Sequence, residues 1–135
     1  MTFKDLGLKD SILESISKLG FETPSPIQEQ VIPYLLNNES DIVGLAQTGK
    51  GKTAAFGIPI INNSSKNHEG LEHLIISPTR ELATQIKKEL DTIAKNTNIT
   101  VGLILGGVDY NVERRMLKSN PNIIVGTPGR LLDHI

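Results

Sequence analysis

The fold is decided by the stretch Ala46-Gln47-Thr48-Gly49-Lys50-Gly51-Lys52-Thr53. The residues before it, Asp41–Leu45, form an apolar run typical of a strand, and the residues after it, Lys52–Ile61, are typical of an apolar helix. A strand, a glycine-rich turn and a helix in this order begin a parallel βαβ arrangement. The stretch therefore predicts an α/β fold with a glycine-rich loop at the end of a strand.

The rest of the chain continues the alternation, which is typical of a parallel sheet with helices on both faces. Besides Asp41–Leu45, the predicted strands are His73–Ser77, Thr100–Leu105 and Asn122–Val125. Besides Lys52–Ile61, the predicted helices are Lys9–Leu19, Ser25–Leu36, Arg80–Ala94, Tyr110–Leu117 and Gly129–Ile135. No repeat or second domain is recognisable. The last segment, inside a predicted helix, suggests a cut chain and a sheet that is incomplete at its C-terminal side.

Local patterns predict how several of these segments are arranged. Gly20 is expected to close the first helix, and Pro26 suits the first position of the second helix. The polar segment Asn62–Gly70 predicts a surface loop. The core-facing side of the helix Arg80–Ala94 is predicted from helical spacing as Leu82, Ile86, Leu90 and Ile93.

Composition excludes several classes of protein. The chain has 135 residues, of which 38% are hydrophobic and 21% charged, as in ordinary globular domains. It has no cysteine, which excludes disulfides, thiolate metal sites and cysteine nucleophiles. The sequence has no apolar secretory core and no apolar run of membrane-spanning length. We therefore expect no membrane partner and a cytoplasmic location. The net charge of −1 gives no support to binding nucleic acid through bulk electrostatics.

The glycine-rich stretch has the residue types of a phosphate-binding loop. Gly49 and Gly51 allow backbone angles that turn successive N–H groups toward phosphate oxygens. Lys52 supplies a charge for the terminal phosphates, and Thr53 offers a hydroxyl to Mg²⁺. The dipole of the helix that follows favours the same anion. We therefore expect Lys52 and Thr53 to serve catalysis and Thr53 to be the metal ligand.

The match has a departure and an alternative. Ala46 stands where the pattern Gly-x-x-x-x-Gly-Lys-Thr has its first glycine. Lys50 could add a charge near the phosphates, but the residue pattern favours a solvated loop lysine. The alternative for the whole loop is a glycine turn that binds nothing. The position of the loop between a predicted strand and a predicted helix favours phosphate binding over this alternative.

The chain resembles the DEAD-box RNA helicases, whose phosphate loop has alanine at the first position. Phe3 and Gly20-Phe21-Glu22-Thr23-Pro24-Ser25-Pro26-Ile27-Gln28 are similar to the family's Q motif and its upstream aromatic residue. Further along the chain, in the family's order, the similar segments are Pro78-Thr79-Arg80-Glu81-Leu82-Ala83 (motif Ia), Gly106-Gly107 (the glycine doublet) and Thr127-Pro128-Gly129-Arg130 (motif Ib). Lys50 departs from the smaller residue usual there, which leaves its effect on nucleotide affinity open.

The resemblance implies an adenine nucleotide, and Gln28 shows how two interpretations compete. Ser25 and Gln28 fit a capping box, in which Gln28 reaches back to the backbone. The family's glutamine instead places its amide, both donor and acceptor, against the adenine edge. Phe21 would stack on the base or pack in the core, and Phe3 is expected to pack. The implied cofactor-binding residues are Phe21, Gln28, Ala46, Gln47, Thr48, Gly49, Lys50, Gly51, Lys52 and Thr53.

The resemblance also implies an RNA-backbone site. Ligands bind outside the carboxyl ends of parallel strands, so motif Ia, the glycine doublet, motif Ib and the phosphate loop are expected at one edge of the sheet. Contacts to phosphates do not distinguish bases, so binding should be independent of sequence. The alternatives are helix caps at Thr79 and Thr127, a plain loop at the doublet and an exposed helix residue at Arg80. The implied RNA-binding residues are Pro78, Thr79, Arg80, Gly106, Gly107, Thr127, Gly129 and Arg130.

The implied whole is an ATP-dependent RNA helicase using ATP and Mg²⁺. In this reading, residues 1–135 are the N-terminal portion of its first RecA-like domain, with a Q-motif region at 1–28 and βα units at 41–135. The Asp-Glu-Ala-Asp segment and the second RecA-like domain lie outside this sequence, so the chain alone is expected to lack hydrolysis and unwinding and to be marginally stable. The alternatives are another P-loop NTPase, such as a DNA helicase, and a non-enzymatic nucleotide- or RNA-binding module.

Overall fold

The computed structural model describes residues 1–45, 51–65 and 68–135. The described residues form two compact units. The first comprises Met1–Asn63 together with Thr92–Thr97, and the second comprises Ser64–Asp91 together with Asn98–Ile135.

The first unit is helical. A short 3-10 helix, Phe3–Leu6, precedes α1 (Asp10–Lys18), α2 (Pro26–Asn37) and α3 (Lys52–Asn63), and α2 packs against α3. The apolar residues buried in this unit are Phe3, Leu6, Leu8, Ile12, Ile16, Val31, Ile32, Ala54, Ala55, Ile58, Ile61, Ile93 and Ala94.

The end of α1 confirms the predicted role of Gly20. Gly20 has φ +86°, in the left-handed region that favours glycine. The N–H of Phe21 donates to the carbonyl of Ile16 at 3.1 Å, and the N–H of Gly20 donates to Ser17 at 3.0 Å. This is the Schellman arrangement, which satisfies carbonyls that the helix end leaves without partners.

The predicted strand Asp41–Leu45 is wrong. These residues have no regular secondary structure, and Val43 and Leu45 are 86% and 89% exposed. A strand requires a neighbour to complete its ladder of hydrogen bonds, and no strand pairs with this segment among the described residues. An apolar run predicts the tendency to form a strand but cannot supply the neighbour.

The second unit contains the sheet. Its elements are β1 (His73–Ile76), α4 (Arg80–Ile93), β2 (Val101–Ile104), α5 (Tyr110–Lys118), β3 (Ile123–Gly126) and α6 (Pro128–Asp133). Thr92 and Ile93, the last two residues of α4, belong to the first unit. The three described strands run in the order β1-β3-β2, and β3 pairs in parallel with both neighbours. The three remaining strand predictions and the parallel α/β class are confirmed. All four residues of β3 are buried, as expected of a central parallel strand.

The buried face of α4 differs by one residue from the prediction. Ile86, Leu90 and Ile93 are buried as expected, but Leu82 is 39% exposed, whereas Ala83 is fully buried. A helix buries a stripe whose width depends on its neighbours, so periodicity alone does not decide its margin.

The segment Asn62–Gly70 is only partly the predicted surface loop. Asn62 lies near the end of α3 and is 7% exposed. Its side-chain oxygen accepts a hydrogen bond from the backbone N–H of Lys9 at 2.9 Å. Ser64 is also buried. Residues 66 and 67 lie outside the described residues. A polar residue is therefore buried here because a distant backbone group uses its side chain.

Replacing Gly126 with alanine should lower the free energy of unfolding by about 1–3 kcal/mol. An added Cβ would lie 2.8 Å from Cδ2 of Leu131 and 3.0 Å from the carbonyl oxygen of Ile104, and a backbone oxygen in the sheet cannot move aside. Urea unfolding measures the change. Gly129→Ala is the matched control, because an added Cβ there meets no heavy atom within 4 Å. Equal stability of the two variants would contradict the steric argument.

Candidate functional site

The described part of the phosphate loop is its junction with α3. Gly51 has φ +79°, and its carbonyl accepts the N–H of Ala55 at 3.0 Å, so α3 begins directly after it. Lys52 is exposed and Thr53 is half-buried at the first turn of α3. The predicted ligands Ala46, Gln47, Thr48, Gly49 and Lys50 lie outside the described residues.

Gln28 connects the start of α2 to this junction. The Oγ of Ser25 accepts the N–H of Gln28 at 3.4 Å, and Oε1 of Gln28 accepts the N–H of Ser25 at 2.9 Å, so the capping box, one of the two interpretations of Gln28, is present. The Nε2 of Gln28 also donates to the carbonyl of Gly51 at 3.3 Å. Gln28 is 4% exposed. An amide has two N–H groups and two acceptor lone pairs, so these bonds leave it capacity for a base edge.

Phe21 of the Q motif forms an aromatic pair with Phe3. Their ring centroids lie 5.9 Å apart with planes tilted by 34°. Phe3 is 4% exposed, so the expectation that it packs in the core is confirmed. Phe21 is half-buried, and its stacking on a base stays a prediction.

A depression of about 270 Å³ lies between α2 and α3. Lys52 is the single charged residue among those that line it, and the others offer no side-chain donor to a phosphate. The lining residues are Ile27, Val31, Leu35, Ile42, Gly44, Lys52, Ala55 and Phe56.

The second unit brings motif Ia, the glycine doublet and motif Ib to one edge. Ile76, Gly126 and Ile104 pair in one row at the ends of β1, β3 and β2. The segments that follow these strands therefore leave the sheet at the same level, with motif Ib in the middle. This part of the predicted convergence agrees with the structure. Gly51, where the described part of the phosphate loop begins, belongs to the other unit, and the place of the loop beside this edge stays a prediction.

Motif Ia and the doublet meet through Arg80. Gly107 has φ +85°, and a Cβ built on it would lie 3.2 Å from Nη1 of Arg80. Pro78 and Thr79 are exposed, and Oγ1 of Thr79 accepts the N–H of Leu82 at 3.2 Å, which is the helix cap considered from sequence. A hydroxyl that accepts this bond keeps its own O–H to donate.

Motif Ib uses its residues differently. Thr127 makes no side-chain cap bond to α6, and Gly129 is exposed, with open space where a Cβ would stand. Arg130 is directed inward: its side chain is 15% exposed and its Nε donates to Oε1 of Glu113 at 2.6 Å.

Glu113 is the residue that sequence reasoning missed. It is 2% exposed, and its carboxylate accepts the N–H of Leu105 at 2.6 Å and contacts Nε2 of His134 at 2.9 Å in addition to Arg130. Burial acts to raise the pKa of Glu113, but the hydrogen bonds from Arg130, His134 and Leu105 prevail and hold it below its ordinary value. The same pairing raises the pKa of Arg130.

The sequence contained a clue to Glu113. Position 113 lies three and four residues before Met116 and Leu117, so it shares their face of α5. A carboxylate on an apolar helix face predicts a buried ion pair, because an unpaired buried charge is strongly unfavourable.

The described residues contain no helix that is both long and apolar enough to cross a membrane.

Comparison with known proteins gives consistent matches along the chain. The sequence model of the family described as DEAD/DEAH box helicase matches residues 25–135. The chain is 50% identical over 134 residues to the DEAD-box ATP-dependent RNA helicase CshA of Bacillus cereus, covering 99% of the chain and 25% of the relative. It is 48% identical to the DEAD-box ATP-dependent RNA helicase RhpA of Helicobacter pylori, covering 99% of the chain and 27% of that protein.

Solved structures give the same result. The chain superposes on a DEAD box protein from the hyperthermophile Methanococcus jannaschii with TM-score 0.94 and 48% identity, covering 99% of this chain and 36% of that one. For Saccharomyces cerevisiae Dbp5 bound to RNA and ADP BeF3, the TM-score is 0.87 at 34% identity, covering 98% and 33%. The predicted RecA-like fold is thereby confirmed. The chain spans about a quarter of the length of the curated relatives it matches.

Proposed function

Because the chain belongs to the DEAD/DEAH box helicase family, we propose that it is the ATP-binding and RNA-backbone-binding part of an ATP-dependent RNA helicase that unwinds RNA duplexes locally. The relatives named above are ATP-dependent RNA helicases, and the Dbp5 structure holds both RNA and a nucleotide. The activity belongs to the longer protein, acting with a second RecA-like domain in the cytoplasm.

The hydrogen bond between Gln28 and Gly51 is the observation that carries the nucleotide assignment. It joins the residue proposed to select adenine to the loop proposed to hold phosphates, at 3.3 Å. Adenine presents a donor beside an acceptor, which a carboxamide matches and guanine does not offer in the same order. A bound adenine nucleotide would therefore contact two segments that are already connected.

The residues at the start of α3 fit a magnesium nucleotide. Lys52 is exposed with its ammonium available to phosphate, and Thr53 places a hydroxyl, the ligand type that Mg²⁺ prefers, in the first turn. Mg²⁺ supplies charge neutralisation at the phosphates when it is bound. The left-handed backbone of Gly51 turns the chain into the helix N-terminus, where the helix dipole favours an anion.

The RNA assignment rests on the edge where β1, β3 and β2 end. Thr79 and Thr127 supply hydroxyls, while Gly106 and Gly129 have open space where a phosphate can approach the backbone. These groups contact phosphate and not base edges, so we propose that binding is independent of RNA sequence.

The chain alone should bind without turning ATP over. Hydrolysis in the family requires carboxylates and arginines that lie outside residues 1–135, and Lys52 with Thr53 cannot activate water by themselves. Release of phosphate from ATP by this chain, at a rate that Lys52→Ala abolishes, would contradict this part of the proposal.

Titration with ADP and GDP in the presence of Mg²⁺ tests the nucleotide assignment. We expect ADP to bind more tightly than GDP by about tenfold, the value of one well-placed hydrogen bond. Gln28→Ala should remove the preference, and Lys52→Ala should weaken both nucleotides. Isothermal titration calorimetry measures the affinities, and circular dichroism confirms that each variant is folded.

Two further variants separate adenine selection from helix capping. Ser25→Ala removes the hydroxyl that caps α2 and leaves the Gln28 amide, so ADP preference should survive. Gln28→Glu keeps an acceptor for the N–H of Ser25 but loses the amide donor, so the preference should disappear in a folded protein. Equal binding of ADP and GDP by the wild-type chain would instead favour another P-loop NTPase. Binding of neither would refute the nucleotide site.

A further inference from the structure

The ion pair of Glu113 and Arg130 forms hydrogen bonds to the backbone on both sides of the glycine doublet. On one side, the N–H of Leu105 donates to Oε2 of Glu113 at 2.6 Å. On the other side, the carbonyl of Val108 accepts Nη2 of Arg130 at 2.5 Å. The Nε of Arg130 donates a hydrogen bond to Oε1 of Glu113 at 2.6 Å. The pair therefore holds the residues immediately before and after Gly106-Gly107.

The same pair ties the doublet to motif Ib. Arg130 lies in α6 and Glu113 in α5, so their bond joins the elements that follow β3 and β2. Nε2 of His134 contacts the carboxylate at 2.9 Å, and its ring stacks on Tyr110 with centroids 4.3 Å apart. Charge-assisted hydrogen bonds to a carboxylate that is 2% exposed are strong and directional, so this arrangement sets the spacing of two backbone segments.

We propose that Glu113 and Arg130 are positioning residues for RNA: their ion pair holds the glycine doublet and motif Ib at the separation that the RNA backbone requires. Arg130 then acts through this ion pair, which we call the clamp, and does not itself contact a phosphate. This revises the expectation, drawn from its place in motif Ib, that Arg130 binds RNA directly. The inference rests on the proposed RNA-binding function.

The contacts of Arg130 support this division of roles. Its Nε and Nη2 are engaged by Glu113 and Val108, its Nη1 lies 3.8 Å from a carboxylate oxygen of Asp133, and its guanidinium carbon lies 5.4 Å from the ring centroid of Tyr110. To bind a phosphate it would have to leave a carboxylate that is 2% exposed, and an unpaired buried carboxylate is strongly unfavourable.

The salt dependence of RNA binding separates a clamp from a phosphate contact. A side chain that neutralises one phosphate of single-stranded RNA contributes about 0.7 to the slope of log K against log salt. Fluorescence anisotropy with a labelled single-stranded RNA would measure affinity and slope for the wild-type chain, Arg130→Gln, Glu113→Gln and the double variant. Circular dichroism and thermal unfolding would confirm folding, and Glu113→Gln is chosen because an amide oxygen can still accept the N–H of Leu105.

A clamp predicts weaker binding without a change of slope. We expect Arg130→Gln and Glu113→Gln each to lower RNA affinity by about tenfold, and the double variant to lower it no further, because both remove one interaction. ADP affinity should not change. The matched control is Arg114→Gln, an exposed arginine beside Glu113 on α5, which should leave affinity and slope as they are.

Other outcomes overturn the inference in distinguishable ways. A slope reduced by about 0.7 in Arg130→Gln, with Glu113→Gln like the wild type, would make Arg130 a direct phosphate ligand. RNA binding by folded variants at wild-type affinity would remove any role for the pair. Absence of RNA binding by the wild-type chain would refute the proposed function itself, and the positioning role with it.

Discussion

Gly51→Ala is expected to lower ADP affinity by about tenfold or more and to destabilise the unit that contains α1, α2 and α3. Gly51 has φ +79°, where a side chain costs about 1 kcal/mol through contact with its own backbone. An added Cβ would also lie 2.3 Å from Nε2 of Gln28. The Gln28 amide must then move, which breaks its bond to the Gly51 carbonyl and disturbs the cap of α2.

Gly20→Ala is the control that separates backbone strain from the contact with Gln28. Gly20 has a similar φ of +86° in the same unit, but no heavy atom lies within 4 Å of its added Cβ. Both variants should lose stability through strain, and Gly51→Ala should lose more because its Cβ displaces Gln28, as urea unfolding would show. Only Gly51→Ala should lose affinity for ADP in calorimetry. Equal loss of affinity in both variants would mean that strain alone matters and that Gln28 does not support the loop.

Glu113→Ala should destabilise the sheet unit by about 1–3 kcal/mol, because it leaves the buried N–H of Leu105 without an acceptor. It also removes the carboxylate partner of Arg130 and His134. The loss should depend on pH. The folded-state pKa of Glu113 is lowered, so the stability it contributes is complete above its ordinary pKa of 4.5 and is lost as pH falls from there through the lower folded-state value.

Glu113→Gln tests this pH dependence without a large change in volume. Between about pH 5 and pH 3, the free energy of unfolding of the wild type should fall more steeply than that of Glu113→Gln. Glu89→Gln is an opposite-sign control, since burial raises the pKa of Glu89 and this carboxylate favours the folded state as it becomes protonated. In Glu89→Gln, the free energy of unfolding should therefore fall more steeply with decreasing pH than in the wild type. Parallel curves for wild type and Glu113→Gln would show that the carboxylate is not held ionised in the folded state.

Much of the site was predictable because its decisive features are local. The cap of α2 depends on Ser25 and Gln28, which stand three residues apart. The turn after α1 depends on Gly20 and the residues just before it, because no other residue adopts its backbone angle as readily. The order of the motifs along the sequence indicates the family, and parallel strands place the segments after them at one edge.

The predictions that are wrong depend on interactions between distant parts of the chain. Asp41–Leu45 has the composition of a strand but no described neighbour to pair with. The polar pattern around Asn62 predicts a surface position, yet the N–H of Lys9, far away in sequence, donates a hydrogen bond to its side chain inside the protein. Hydrophobic patterns report what a segment tends to do, and tertiary partners decide whether it does so.

The sequence by itself determined the α/β class, the helix boundaries to within a few residues and the family, because capping, periodicity and glycine geometry act over a few residues. Only the tertiary structure decided that Gln28 contacts Gly51 and that Arg130 points to Glu113. Those contacts join residues 23 and 17 positions apart. Their geometry depends on how whole elements pack, so the residue types allow such contacts and the fold selects them.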